Sequence, residues 1–374
     1  MGEINWPQIA ASFIAGQIAL TVVPVARRWL AGFWGAVFFF IPAVQRFLRL
    51  KRFAASDEEF WTLAKSEKAA SDYNIPPMVT FANFKGGVGK TTIAANVIAS
   101  IAKKHSLKVL VFDLDYQGSL TSILCRSIQN ESKRNLLERW IKLEDDALFS
   151  ELVHPAQASM AGVFVVTSDY NIASIEEREL IRWLINPSKK DDVRYRLIEK
   201  LNRYQNDVSK FDLIIADAPP RLSLSSVNGL VATSQVIVPT EPTVLATRPI
   251  GQMVKRLMHL RTMVSGKFRV AAIIFNKTFR LGTLTRDEKA VKKLADDTVA
   301  DVILGLSDVQ KAAQDGLPQT LEPNIVYKPT IARPDPETLA YLRDDEVDIR
   351  HAFDRLADQI LKLARVPSNE ANDR

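Results

Sequence analysis

Met78-Val79-Thr80-Phe81-Ala82, then Lys85-Gly86-Gly87-Val88-Gly89-Lys90-Thr91-Thr92, then Ile93-Ala94-Ala95-Asn96-Val97-Ile98-Ala99: this order decides the fold. The first run is apolar and reads as a buried strand, and the third reads as a helix. Glycines at 86, 87 and 89 let the backbone between them wrap a phosphate chain closely. The helix start adds oriented N–H donors at the positive end of its dipole. Lys90 is placed to bridge β- and γ-phosphate oxygens, and the Thr91 hydroxyl to ligate Mg²⁺. The usual pattern has a glycine where this chain has Phe84, and Lys85 is an extra lysine, so the loop is a deviant one. Gly86, Gly87, Val88, Gly89, Lys90, Thr91 and Thr92 are the candidate nucleotide-binding residues. A chance glycine turn is the competing reading, and the strand–loop–helix order argues against it.

Four further apolar runs end in polar residues. They are Val109 to Asp113, continuing through Leu114 to Asp115; Phe211 to Asp217, continuing through Ala218-Pro219-Pro220; Val236 to Glu241; and Ala272 to Lys277. Asp113 and Asp115, two apart on an extended strand end, point the same way. Strands alternating with helical stretches predict an α/β fold, a mostly parallel sheet with helices on both faces. Ligands bind such a sheet beyond the carboxyl ends of its strands, where all these polar residues fall.

Over residues 78–325 the motif set resembles the ParA/MinD family of deviant Walker A ATPases, SIMIBI-class P-loop proteins. The resemblance implies ATP and Mg²⁺ as cofactors and a nucleotide-sandwich homodimer in which Lys85 crosses to the partner's phosphates. Val109 to Thr121 looks like switch I, which would put Asp113 near the Mg²⁺ shell and let Asp115 position the attacking water. Asp217 matches the Walker B aspartate, holding Mg²⁺ through water, and Ala218-Pro219-Pro220 matches switch II. Asn276 corresponds to an adenine contact. Catalysis would then rest on Lys85, Lys90 and Asp115, and the metal on Thr91, Asp113 and Asp217.

Residues 1–55 differ from this domain. The chain carries a formal charge of +6, nearly all of it in that segment, where six Lys and Arg face only Glu3. Apolar runs at 9–26 and 29–44, separated by Arg27-Arg28, would make helices of about 27 Å and 24 Å against a hydrocarbon core of about 30 Å. Trp6 and Trp29 stand at run ends, where interfacial aromatics are favoured. The expectation is a lipid bilayer contact through residues 9–48, with the ATPase domain in the cytoplasm. A soluble hydrophobic hairpin that packs on a partner is the alternative. Residues 56–77 read as a short helix and linker, 78–366 as the ATPase domain and 367–374 as a polar tail.

Plasmid and chromosome partition relatives bind DNA through basic residues late in the fold. Here the body of the chain is nearly neutral, and although Arg280, Arg286, Lys289, Lys292 and Lys293 could form a patch on and beside one helix, they alternate with Asp287, Glu288, Asp296 and Asp297, which counts against DNA binding. A solvated helix face is the plainer reading of that run. The sequence does not name the protein partner that such a switch requires. A lone Cys125 excludes a disulfide framework and cluster-scaffold relatives of the fold. A bacterial tyrosine kinase also joins a membrane segment to a deviant P-loop, but only Tyr327 and Tyr341 follow residue 205, where a cluster is expected. A binding module without turnover is the remaining alternative, and no substitution supports it.

Overall fold

The computed structural model describes residues 73–125, 134–142, 147–185, 192–278, 284–307, 318–326 and 347–366, with Trp61, Ser66, Lys68, Ile128 and Gln314. The expected membrane segment and most of the helix and linker after it lie outside these residues. Among the described residues, no helix is long and apolar enough to cross a membrane. The chain divides into two units, one of Met1–Glu58 with Leu184–Asn186 and the other of Glu59–Trp183 with Pro187–Arg374. The second carries the sheet.

Its strands are β1 (Met78–Phe81), β2 (Val109–Asp113), β3 (His154–Pro155), β4 (Val163–Val166), β5 (Leu213–Asp217), β6 (Gln235–Thr240), β7 (Arg269–Thr278) and β8 (Gln319–Val326). They lie in the order β3-β4-β2-β5-β1-β6-β7-β8. Neighbours run parallel except for β3, which is antiparallel to β4. Among the described residues the α-helices longer than one turn are α1 (Lys90–Ser100), α2 (Ser119–Leu124), α3 (Leu136–Ile141), α4 (Ile172–Ile185), α5 (Arg196–Arg203), α6 (Leu224–Ala232), α7 (Val244–Met263), α8 (Arg286–Leu304) and α9 (Val347–Ala364). The mostly parallel α/β architecture read from the sequence is therefore present.

Side chains on a strand alternate between the two faces of its sheet, and the core divides accordingly. Leu110, Phe112, Ile214 and Phe275 join a cluster with residues of α3 to α8. Val109, Val111, Ile215 and Ile274 join another with residues of α1, α2 and α9. A sheet covered on both faces needs strands apolar at every position, and this gives β2 and β5 their near-continuous hydrophobic runs. Trp140 of α3 is fully buried, its ring edge-on to Phe112 at 5.0 Å and its Nε1 donating to Leu152 O at 2.9 Å. The apolar stripe of α9 (Phe353, Leu356, Ile360) is core, as its spacing predicts. Ser100 Oγ donates to Asp354 Oδ1 at 2.6 Å and Lys104 Nζ pairs with Asp358 at 2.8 Å, so polar bonds fasten the same helix to the end of α1.

Two strands escaped the sequence reading. β3 has only two residues. β8 contains Glu322 and Pro323, which interrupt any strand pattern, and proline is tolerated in a sheet at edges and bulges. Here β8 is one of the two edge strands of the described sheet, and its pairing with β7 shifts register twice.

Candidate nucleotide-binding site

The phosphate loop begins where β1 leaves the centre of the sheet. Ala82 N donates to Ile237 O at 2.9 Å, and Ala218 N to Phe81 O at 3.0 Å, so the two central neighbours hold the strand to its last residue. Buried Asn83 then turns the chain, donating to Pro239 O at 2.8 Å and accepting from Lys85 N at 2.9 Å. Gly87 and Gly89 take φ values of 76° and 88°, left-handed conformations that favour glycine. A Cβ at Gly86 or Gly87 would meet nothing within 4 Å, so the loop faces open space on that side. At Gly89 a Cβ would stand 2.2 Å from Asn276 Nδ2, so any larger residue there would displace that side chain from the loop. Gly89 caps α1 without a side-chain acceptor, leaving the first N–H groups of that helix to an external anion.

Lys90, Thr91 and Asp217 come together beneath the loop. Thr91 Oγ1 donates to Asp217 Oδ2 at 2.5 Å. Asp217 is 1% exposed, and its other oxygen, Oδ1, has no hydrogen-bond partner among the described residues. Burial pushes its carboxyl up to about 7, against the opposing pull of the Thr91 bond and the Lys90 charge, while Asp115 adds to the rise. The ammonium of Lys90 is drawn the other way. Burial lowers its pKa, and the charges of Asp217 and Asp115 oppose that shift. Its Nζ lies 3.4 Å from Lys85 O.

Asp113 is equally buried but fully engaged. Its Oδ2 accepts from Thr121 N at 2.7 Å and Thr121 Oγ1 at 2.8 Å, and its Oδ1 from Asp115 N at 3.2 Å. Burial first, then the charge of Asp217, raise its carboxyl to about 8, and the Thr121 bonds partly offset this. Thr121 Oγ1 also accepts from Ser168 N at 3.0 Å, so Asp113 ties β2, α2 and the end of β4 together. Asp115 sits half-buried in the following turn and accepts from Gln117 N at 3.0 Å. Beside it, the Arg221 guanidinium lies 4.9 Å over the Tyr116 ring, joining the segment after Pro220 to the segment after Asp115.

Lys85 turns toward β6, its Nζ 3.9 Å from Glu241 Oε2. Asn276, expected at the adenine, donates from Nδ2 to Val88 O at 2.9 Å. The next residue, Lys277, donates to Gly87 O at 2.8 Å and pairs with Glu241 Oε1 at 2.6 Å. Thr121, Glu241 and Lys277 were not picked out as site residues from the sequence. Their signal was position alone: each stands within or directly beside a motif at a strand end.

The residues suit a magnesium nucleotide. An unpartnered carboxylate oxygen beside a hydroxyl, under an open glycine loop, offers a cation two hard oxygen ligands and leaves its other positions to phosphate and water. Among the described residues no group of three or more His, Cys, Asp or Glu could cage a metal.

A protein-family model described as an AAA domain matches residues 77–270, just over half of the chain. The chain belongs to that family. Its AAA domain is similar to ParA-type partition proteins. The chain is 31% identical over 176 residues to the chromosome partitioning protein ParA of Myxococcus xanthus, covering 47% of this chain and 56% of that one. It is 25% identical over 231 residues to the protein of the same description from Caulobacter vibrioides, covering 61% and 79%. Among solved structures, an ATP complex of McdA from Cyanothece superposes with a TM-score of 0.56 at 17% identity, covering 78% of this chain and 98% of that one. Cobyrinic acid a,c-diamide synthase from Mycobacterium smegmatis, with ADP and magnesium, gives 0.55 at 23%, covering 79% and 99%. At such identities these structures share the P-loop α/β fold.

Proposed function

We propose that the chain is a membrane-tethered ParA/MinD-type ATPase that binds ATP with Mg²⁺, pairs with a second copy across the nucleotides and acts as a spatial or assembly switch. The observation that carries the ATPase reading is the Asp217 carboxylate, buried with one oxygen on Thr91 and the other unpartnered beneath an open glycine loop. Bound Mg²⁺ would supply charge neutralisation and a template for the phosphates.

The chain's own residues do the rest. The loop N–H groups and the start of α1 bind the phosphate oxygens, and Lys90 places its ammonium among them. Asp115, in the half-buried turn after β2, orients the attacking water. Asp113, held by Thr121, keeps that turn in place. Lys85, whose ammonium has only a long ion pair among the described residues, serves the second copy.

The tether rests on the composition of residues 1–55, and with it the cytoplasmic placement of the ATPase domain. Attachment through the N-terminus would be permanent rather than nucleotide-gated, since α9, the helix near the other end, is packed into the core. The test is ATP turnover and membrane retention of the full chain beside a version lacking residues 1–55. Turnover retained by a truncated chain that leaves alkaline-washed membranes supports both halves. Retention in those membranes overturns the tether, and absence of Mg²⁺-dependent turnover in the full chain overturns the ATPase.

A partition ATPase that binds DNA is the second reading, favoured by the ParA relatives. On α8, however, Lys292 is paired with Asp296 at 2.8 Å, and acids alternate with the other cations. ATP-dependent DNA binding that weakens steeply with salt would decide for it.

A further inference from the structure

Two side chains at the end of β7 fasten consecutive carbonyls of the phosphate loop. Lys277 Nζ donates to Gly87 O at 2.8 Å and Asn276 Nδ2 to Val88 O at 2.9 Å. In a trans peptide the carbonyl and the following N–H point in opposite directions. Holding these two carbonyls toward β7 therefore turns the N–H groups of Val88 and Gly89 away from it. Successive N–H groups facing one way make an anion-binding concavity, the feature a diphosphate needs.

The ammonium of Lys277 is itself oriented, because Glu241 Oε1 lies 2.6 Å from it. Lys277 also adopts φ 59°, in the left-handed region that is costly for a residue with a Cβ. Backbone strain at this residue thus accompanies a side chain that ends on a loop carbonyl.

We propose that Lys277, oriented by Glu241, is a positioning residue of the phosphate loop that sets affinity for the diphosphate portion of a nucleotide. The inference deepens the nucleotide-binding reading of the site and rests on it. The chain's triphosphate chemistry is left to Lys90 and Asp115, so Lys277 should act on binding of ADP and ATP alike and on KM more than on kcat.

The test is equilibrium binding of ADP and of ATP to the full chain with Mg²⁺, together with thermal melting without nucleotide. Lys277→Met should weaken both nucleotides about three- to tenfold, the range for losing one partly exposed charge-assisted bond. Lys277→Arg should recover most of the loss. Lys277→Gly should lose affinity as Met does while melting no lower than the wild type, because glycine relieves the left-handed backbone. Glu241→Gln should weaken binding less than Lys277→Met and add nothing to it in the double variant.

Wild-type affinity in Lys277→Met, parallel loss of affinity and melting temperature in Lys277→Gly, or a full Glu241→Gln effect in the double variant would each overturn the proposal. A wild-type chain that binds neither nucleotide defeats the reading of the site and the proposal with it. That failure is recognisable because it precedes any variant.

Discussion

Asp113 and Asp217 stand opposite each other in register at the ends of β2 and β5, both buried, yet both oxygens of the first accept hydrogen bonds while Oδ1 of the second has no partner among the described residues. Neighbouring positions on adjacent parallel strands have thus been given different tasks. Asp113 organises the turn that carries Asp115, and Asp217 is free to meet a cation.

Asp217→Asn should therefore abolish Mg²⁺-dependent ATP turnover while leaving the nucleotide-free chain folded. The amide can still accept from Thr91, and it removes a buried charge whose unpartnered oxygen costs the folded state. The measurements are steady-state turnover with and without chelator and a denaturant titration of the metal-free variant. Expected is a loss of at least about 10²-fold in kcat, on the scale of deleting a preorganised electrostatic group, with no fall in the unfolding midpoint. A clear fall in that midpoint would instead make Asp217 a structural residue.

Thr121→Val should be the opposite kind of lesion. It removes the hydroxyl that donates to Asp113 Oδ2 and accepts from Ser168 N, leaving a buried carboxylate and a buried N–H short of partners. A loss of about 1–3 kcal/mol in unfolding free energy is expected, with Thr121→Ser close to wild type. Equal stability in both variants would show that the hydroxyl bonds contribute little.

Lys85→Ala tests the second copy. Lys90 Nζ reaches Lys85 only through the backbone carbonyl, at 3.4 Å, which alanine keeps, and the 3.9 Å pair of the Lys85 ammonium with Glu241 joins partly exposed groups. Such a pair is worth at most about 1 kcal/mol. Nucleotide binding by the isolated chain should change less than twofold, while turnover that rises with protein concentration is lost. Unchanged turnover at high protein concentration would count against a sandwich dimer.

How far the sequence made this legible varies with the kind of constraint. The strand–loop–helix order and the α/β architecture were readable because a buried parallel sheet demands uninterrupted apolar strands and a tight loop demands glycines at fixed spacing. β8 was not, since an edge strand carrying Pro323 has neither pattern. Glu241 and Lys277 were passed over because their meaning lies in a contact across the sheet, from β6 and β7 to the loop after β1, which no local periodicity encodes. Asp113 shows the converse. Its spacing from Asp115 suggested that both carboxylates face the nucleotide, and the bonds that Thr121, on the next helix, makes to Asp113 Oδ2 have no signal in that spacing.

The last prediction concerns Cys125, at the end of α2. It is buried, and burial first, then the Asp113 charge, push its thiol up to about 12. Because the folded value lies above the unfolded one of about 8.5, the thiol favours the folded state below pH 8.5, and that contribution is lost as pH rises toward 12. At pH 8 the folded thiolate fraction is about 10³-fold below that of the unfolded chain, so a thiol-directed reagent should label the native protein more slowly by at least that factor. Labelling should then report unfolding: its rate should climb along the same denaturant curve as the loss of the tertiary signal of Trp140. Rapid labelling of the native chain at pH 8 would mean instead that α2 opens without global unfolding, and that the Asp113–Thr121 latch is weaker than its bonds imply.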